Sequence, residues 1–175
     1  AAEDPSVGRP LEAQIRILQE HYWSDADPDG RGFVSLADAY RRMGKHREAL
    51  RILRDGLSRH PDYASGHVVR GWVHLDEGDP GDAETAFRTA LEVDAENVAA
   101  LRGLGDLLLG KGMLEEALVA FQEVIRLDPT DSERHVRVLD LREQVSQRAE
   151  ARSAGTGVAS EQAFLERPWH DPEGA

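Results

Sequence analysis

GRGFVSLADAYRRMGKHREALRILRDGLSRHPDY, residues 30–63, decides the fold, because two further stretches repeat its pattern at a spacing of 34. They are ASGHVVRGWVHLDEGDPGDAETAFRTALEVDAEN, residues 64–97, and VAALRGLGDLLLGKGMLEEALVAFQEVIRLDPTD, residues 98–131. A small residue recurs at Ala37, Gly71 and Gly105, and a glycine at Gly44, Gly78 and Gly112. Ala49, Ala83 and Ala117 follow, with Leu53, Phe87 and Phe121 four residues later. Gly56, Ala90 and Val124 come next, then Leu57, Leu91 and Ile125, and each unit closes at Pro61, Ala95 or Pro129. A fixed period of this length takes precedence over local propensity in predicting a fold.

Apolar and small positions three and four residues apart draw one stripe along each helix. The glycine between the two stripes ends the first helix, since it takes left-handed angles at little cost. Each unit is therefore read as a helical hairpin. Its small residues let the two helices approach, its Leu and Phe fill the gap, and Pro stops the second helix. One hairpin cannot bury its own face, so the units must stack into a solenoid.

These residues resemble the tetratricopeptide repeat family. The first unit carries the fullest set, with Phe33, Leu36, Ala37, Tyr40, Gly44, Ala49, Leu53, Gly56 and Pro61. The likeness covers 102 of the 175 residues. Departures are His67 where the family has a large residue, His74 and Leu108 where it has an aromatic one, and Ala95 in place of the closing Pro. The resemblance implies an all-α solenoid of helical hairpins wound as a right-handed superhelix, and a non-catalytic role in binding other proteins.

Outside the three units, residues 11–22 carry Leu11, Ile15, Leu18 and Tyr22 at helical spacing and read as the second helix of a truncated preceding unit within an N-terminal segment, 1–29. Residues 132–150 read as a capping helix with Val136, Leu139 and Val145 on one side and charges on the other. From 151 to 175 the chain is expected to be a flexible tail. Phe164, Leu165 and Trp169 in that tail form a candidate docking motif.

Lys and Arg total 21 against 33 Asp and Glu, a formal charge of −12 and a poor match for a phosphate-tracking surface. Nucleic acid is not an expected partner. No apolar run nears the ~20 residues a bilayer requires, so membrane insertion is not expected either. Zero Cys removes disulfides, Cys-ligated metals and thiol nucleophiles. The chain opens AAEDPSVGRP with no signal-peptide pattern, and the cytoplasm is the expected location, the periplasm and secretion staying open.

Motifs of phosphate-binding loops, HExxH metalloproteases and GxSxG hydrolases are absent from the sequence, and no enzyme or cofactor is expected. DADPDG places Asp25, Asp27, Asp29 and Gly30 as in the start of a calcium loop, but Leu36 occupies the twelfth position, where a bidentate Glu belongs. The connection between repeats is the preferred reading of those letters. His67 and His74 share one helix face, yet seven residues at 1.5 Å each put them roughly 10 Å apart, too far to share an ion unaided. Packing histidines are the preferred reading there.

The resemblance implies that the first helix of each unit lines a concave groove. The candidate partner-binding residues are Val34, Asp38 and Arg41, then Val68, Trp72 and Leu75, then Arg102, Asp106 and Leu109. The capping helix would add Glu133, Val136, Asp140 and Glu143. An apolar centre rimmed by charge marks a partner site, with Trp72 its anchor. The Lys and Asn positions through which family members grip a chaperone's terminal carboxylate are Val34, Asp38, Val69, Ala99 and Gly103 here, so that partner is not expected. The expected function is a scaffold or adaptor binding a peptide or helix, with a place as a subunit of a larger assembly compatible with it. The alternative is a self-associating or autoinhibited module whose AFLERPWHDP segment fills its own or a neighbour's groove, making a homo-oligomer.

Overall fold

Left-handed glycines turn the chain back three times at identical places. Gly44, Gly78 and Gly112 have φ of 70°, 77° and 73°. At each turn the glycine N–H donates three residues back and the next N–H five residues back, as in Gly44 to Arg41 and Lys45 to Tyr40, both 2.9 Å. This closes the helix's last carbonyls and reverses direction. The computed structural model describes residues 9–22 and 31–165, with side chains over 11–20 and 31–153. Among them stand eight helices: α1 (Arg9–Tyr22), α2 (Phe33–Arg42), α3 (His46–Arg59), α4 (Ala64–Asp76), α5 (Pro80–Val93), α6 (Val98–Gly110), α7 (Leu114–Leu127) and α8 (Ser132–Leu165).

α3, α5 and α7 begin and end at the same point of the 34-residue period, which the sequence columns predict. The small columns do the packing work expected of them. A Cβ on Gly71 would lie 2.6 Å from the Phe87 ring, and one on Gly105 would lie 2.6 Å from Phe121. Phe87 is also gripped from the next unit, since a Cβ on Gly103 would meet the same ring at 2.6 Å. Each fully buried ring thus locks its own hairpin, and Phe87 locks two.

The buried side chains form two clusters that meet on opposite sides of α4. One runs from Ile15 through Phe33 and Leu53 to Val73, and the other from Val68 through Phe87 and Phe121 to Leu141. α1 packs on α2 with Ile15 buried and Leu18 against the same cluster.

α8 departs from expectation in two ways. It does not stop at 150 but continues to Leu165. Ser146 stands where Gly44, Gly78 and Gly112 make their turns, so nothing reverses the chain. Ala, Glu, Gln and Arg at 147–154 favour continuing the helix, and Gly155 and Gly157 each subtract only about 1 kcal/mol. The inward face also differs: Val138 and Leu141 are buried at 4% and 0% exposure, whereas Val136 and Leu139 are 68% and 65% exposed. The reason is register. Val138 continues the column of Leu36 and Leu104, and Leu141 that of Ala39, Val73 and Leu107. Leu139 falls where Ala37, Gly71 and Gly105 admit the helix that follows, so its bulk obstructs a fourth hairpin built like the others.

Candidate functional site: the inner helix face

The backbone of α2 packs closely on that of α4, and α4 on α6, whereas among the described residues the backbones of α3, α5 and α7 stand farther apart, with α5 reaching α7 through the exposed Arg88–Glu116 ion pair at 3.8 Å. The first helices therefore form the close-spaced inner row of a curved stack, and the second helices the spread outer row. α8 extends the inner row by packing on α7 and reaching α6 through the Arg134–Asp106 ion pair, while Asp131 just before it reaches Arg102 of α6.

Trp72 sits midway along this row. Its ring meets Phe87 edge to face at a centroid distance of 5.1 Å, and it is half-buried against the core together with Leu75 and Leu109. Val34 is similarly placed against the first cluster. Val68 is a correction: at 6% exposure it belongs to the core and offers a partner little surface. Its position on α4 turns it toward the Phe87 and Leu104 side, so apolar character there reflects packing. Val136 is the most exposed apolar side chain of the row, and with Glu133, Arg137 and Asp140 it lines a depression of about 580 Å³.

The charged candidates come together largely with each other. Arg41 bridges Asp38 at 2.9 Å on its own helix and Asp76 at 2.8 Å on α4, while Arg42 takes the other Asp38 oxygen at 3.0 Å. Burial works against the Arg41 charge, but Asp76 and Asp38 outweigh it and hold the guanidinium above its ordinary value. Arg102 spans Asp128 at 3.0 Å and Asp131 at 2.8 Å. Arg134 reaches Asp106 at 3.3 Å and lies over the Phe121 ring at 5.7 Å. Burial pushes the Asp106 carboxyl up; Arg134, Arg137 and Arg102 pull it back and Glu133 adds to the rise. These ions strut adjacent helices.

Sequence reasoning missed Arg134 and Asp131, which close this network. The period carried the signal: Arg134 falls 34 residues after Ala100, against the ring of Phe121 that also packs Gly105. It missed a second cleft as well, about 530 Å³ between α7 and α8, where Ile125, Val138 and Leu139 are flanked by Arg126, His135 and Arg142. Asp25, Asp27, Asp29 and Trp169 lie outside the described residues, while Phe164 and Leu165 end the α8 backbone. The ring Nε2 of His67 lies 2.7 Å from the Pro61 carbonyl and donates to it, in keeping with a packing role. Among the described residues no helix is long and apolar enough to cross a membrane.

A family model described as tetratricopeptide repeat matches residues 34–79 and 68–132. Cellulose synthase operon protein C of Xanthomonas axonopodis pv. citri is 34% identical over 155 residues, 83% of this chain but 10% of its own length. Superkiller complex protein 3 of Homo sapiens is 39% identical over 85 residues, 49% of this chain and 5% of its own. The chain thus spans a tenth or less of these two curated relatives. Among solved structures, MamA superposes with a TM-score of 0.65 at 17% identity, over 95% of this chain and 100% of that one. The first such domain of Spaghetti (RPAP3), bound to the HSP90 peptide SRMEEVD, gives 0.61 at 18% identity, over 65% of this chain and 93% of that one.

Proposed function

We propose that this chain, which belongs to the tetratricopeptide repeat family, holds a peptide or helix of a partner protein along its inner helix row, as a non-catalytic scaffold within a larger assembly. The family fold is an interaction module, and its relative RPAP3 carries a peptide. The observation that supports the reading is Trp72 with its seat. A large aromatic ring, partly exposed and fixed by the Phe87 edge, offers contact area at little ordering cost. Leu75 and Leu109 widen the apolar centre, and Val136 extends it onto α8. Because Asp38 and Asp106 already face arginines, affinity comes from this apolar centre, and the charges set register and orientation. The ligand therefore brings an aromatic or aliphatic side chain to Trp72.

Affinity capture with wild type, Trp72→Ala and Asp106→Lys tests this. A partner lost from the Trp72→Ala eluate, its affinity down by about 2 kcal/mol or roughly 30-fold, supports the groove. Identical eluates from all three proteins, each shown by circular dichroism to be folded, refute it.

The course of α8 favours a particular form of the self-docking alternative. From Val145 to Leu165 the helix advances about 30 Å at 1.5 Å per residue. A rigid span of that length supports the form of the alternative in which the segment fills a neighbouring chain's groove. Deleting residues 155–175 should reduce self-association if this holds, and an unchanged oligomeric state sinks it.

A further inference from the structure

The middle hairpin carries polar side chains where its neighbours carry apolar ones. Arg70 stands in the column of Leu36, Leu104 and Val138, and His74 in the column of Tyr40 and Leu108. Packing alone does not call for either. Across the turn that follows, Asp79 caps α5 by accepting from the Asp82 N–H at 3.4 Å, which leaves its second carboxylate oxygen available. One ligand atom each of His74, Asp79 and Asp82 lie within 4.8 Å of one another. His74 Nδ1 is buried and has no hydrogen-bond partner, with the nearest Glu77 carboxylate oxygen 4.0 Å away. Either ring nitrogen of a neutral imidazole can serve as a metal ligand, and the partnerless Nδ1 leaves the ring without a hydrogen bond there that would fix it in another role.

We propose that His74, Asp79 and Asp82 form a binding site for a borderline divalent transition-metal ion, of the Zn²⁺ or Co²⁺ class, at the turn of the middle hairpin. One imidazole and two carboxylates suit such ions, whereas calcium and magnesium sites are built from oxygens alone. Three donors each about 2.1 Å from one ion stand at most about 4.2 Å apart, so side-chain rotation suffices to close the set. Residues two apart on a helix point roughly 200° away from each other, so His74 looks away from Trp72 and the metal leaves the inner face free. Bridging α4 to the first turn of α5, the ion clamps the hairpin that bears Trp72. Arg70, whose charge acts on Asp82, opposes the ion and holds affinity down.

The experiment titrates the full chain with Zn²⁺ calorimetrically and with Co²⁺ by visible absorption, comparing wild type with His74→Leu, Asp82→Asn and Arg70→Leu. His74→Leu and Arg70→Leu install residues that the neighbouring units already hold in those columns, and Asp82→Asn keeps the shape of the turn. The expected result is one equivalent of metal with a Co²⁺ ligand-field band. Both His74→Leu and Asp82→Asn should weaken binding about tenfold or more, and Arg70→Leu should tighten it. Thermal stability rises with Zn²⁺ in wild type and not in His74→Leu. Equal binding by wild type and by both ligand variants places the metal on other histidines and overturns the proposal, as does the absence of binding by wild type.

Discussion

Phe87→Ala should cost more than an ordinary core truncation, and the reason is visible in what surrounds the ring. Phe87 is fully buried, wedged between Gly71 of its own hairpin and Gly103 of the next, with Trp72 against it at 5.1 Å. Removing a ring that buries roughly 150–200 Å² loses about 4 kcal/mol at ~25 cal/mol per Å², and the edge contact adds about 0.5–1.5 kcal/mol. Two of the walls are glycine backbone within helices, with no side chain to move into the void, so the cavity cannot collapse. The loss should therefore sit at the upper end of the usual range for Phe→Ala, about 4–5 kcal/mol. Because units in a stacked array gain stability from their neighbours, the transition should also broaden as the middle and third units uncouple. Urea denaturation followed by far-UV circular dichroism and tryptophan fluorescence measures both. A sharper test is the coupling with Gly103→Ala. In the wild-type background the new methyl meets the ring at 2.6 Å and destabilises; in the Phe87→Ala background it enters empty space and should be neutral or stabilising. A loss below about 2 kcal/mol with additive effects of the two substitutions would refute the shared-ring account.

Other outcomes follow from single features. Gly112→Ala should lose about 1–2 kcal/mol from its φ of 73° alone, since nothing lies within 4 Å of the added methyl. Gly110→Ala, two residues earlier at the end of α6 and equally open, should gain about 0.5–1 kcal/mol; thermal melts of the pair check the opposed signs. Glu84 is held below the ordinary carboxylate range by Lys111 and Arg88, so its contribution is present above about pH 4.5 and lost as pH falls through its depressed folded value. Glu84→Gln should lower the melting temperature near neutrality and flatten its fall in acid. Asp106, raised by burial, acts with the opposite sign: its favourable contribution is present below its unfolded value and lost as pH rises through the folded one.

Much of the fold was legible because it rests on backbone and volume. The three turn glycines, the extents of α3, α5 and α7, and the glycine–aromatic contacts all follow from columns 34 residues apart. The inward face of α8 was equally available, since Val138 and Leu141 extend two of those columns, but local apolar spacing pointed to Val136 and Leu139 instead. Its length is hidden for a different reason: glycine and serine at 153–157 suggest a linker, while the alanines among and beside them are the strongest helix formers. The candidate groove was less legible. Whether Val68 faces a partner or the core depends on the angle between stacked hairpins, which no single helix encodes. The same holds for the ion pairs, as Arg41 and Asp76 meet only because neighbouring first helices stack with an offset of one residue beyond the period.

The close backbone packing of successive first helices, against the wider spacing of the described second helices, has a mechanical consequence. The stack behaves as a fan held along one edge. Bending that opens or tightens the held edge works against the Arg41–Asp76 tether and the shared Phe87 ring, while the spread edge, joined between α5 and α7 by the exposed Arg88–Glu116 pair, offers less resistance. The soft coordinate of the molecule is therefore its radius of curvature, and a ligand lying along the inner edge would be measured by the protein as a length.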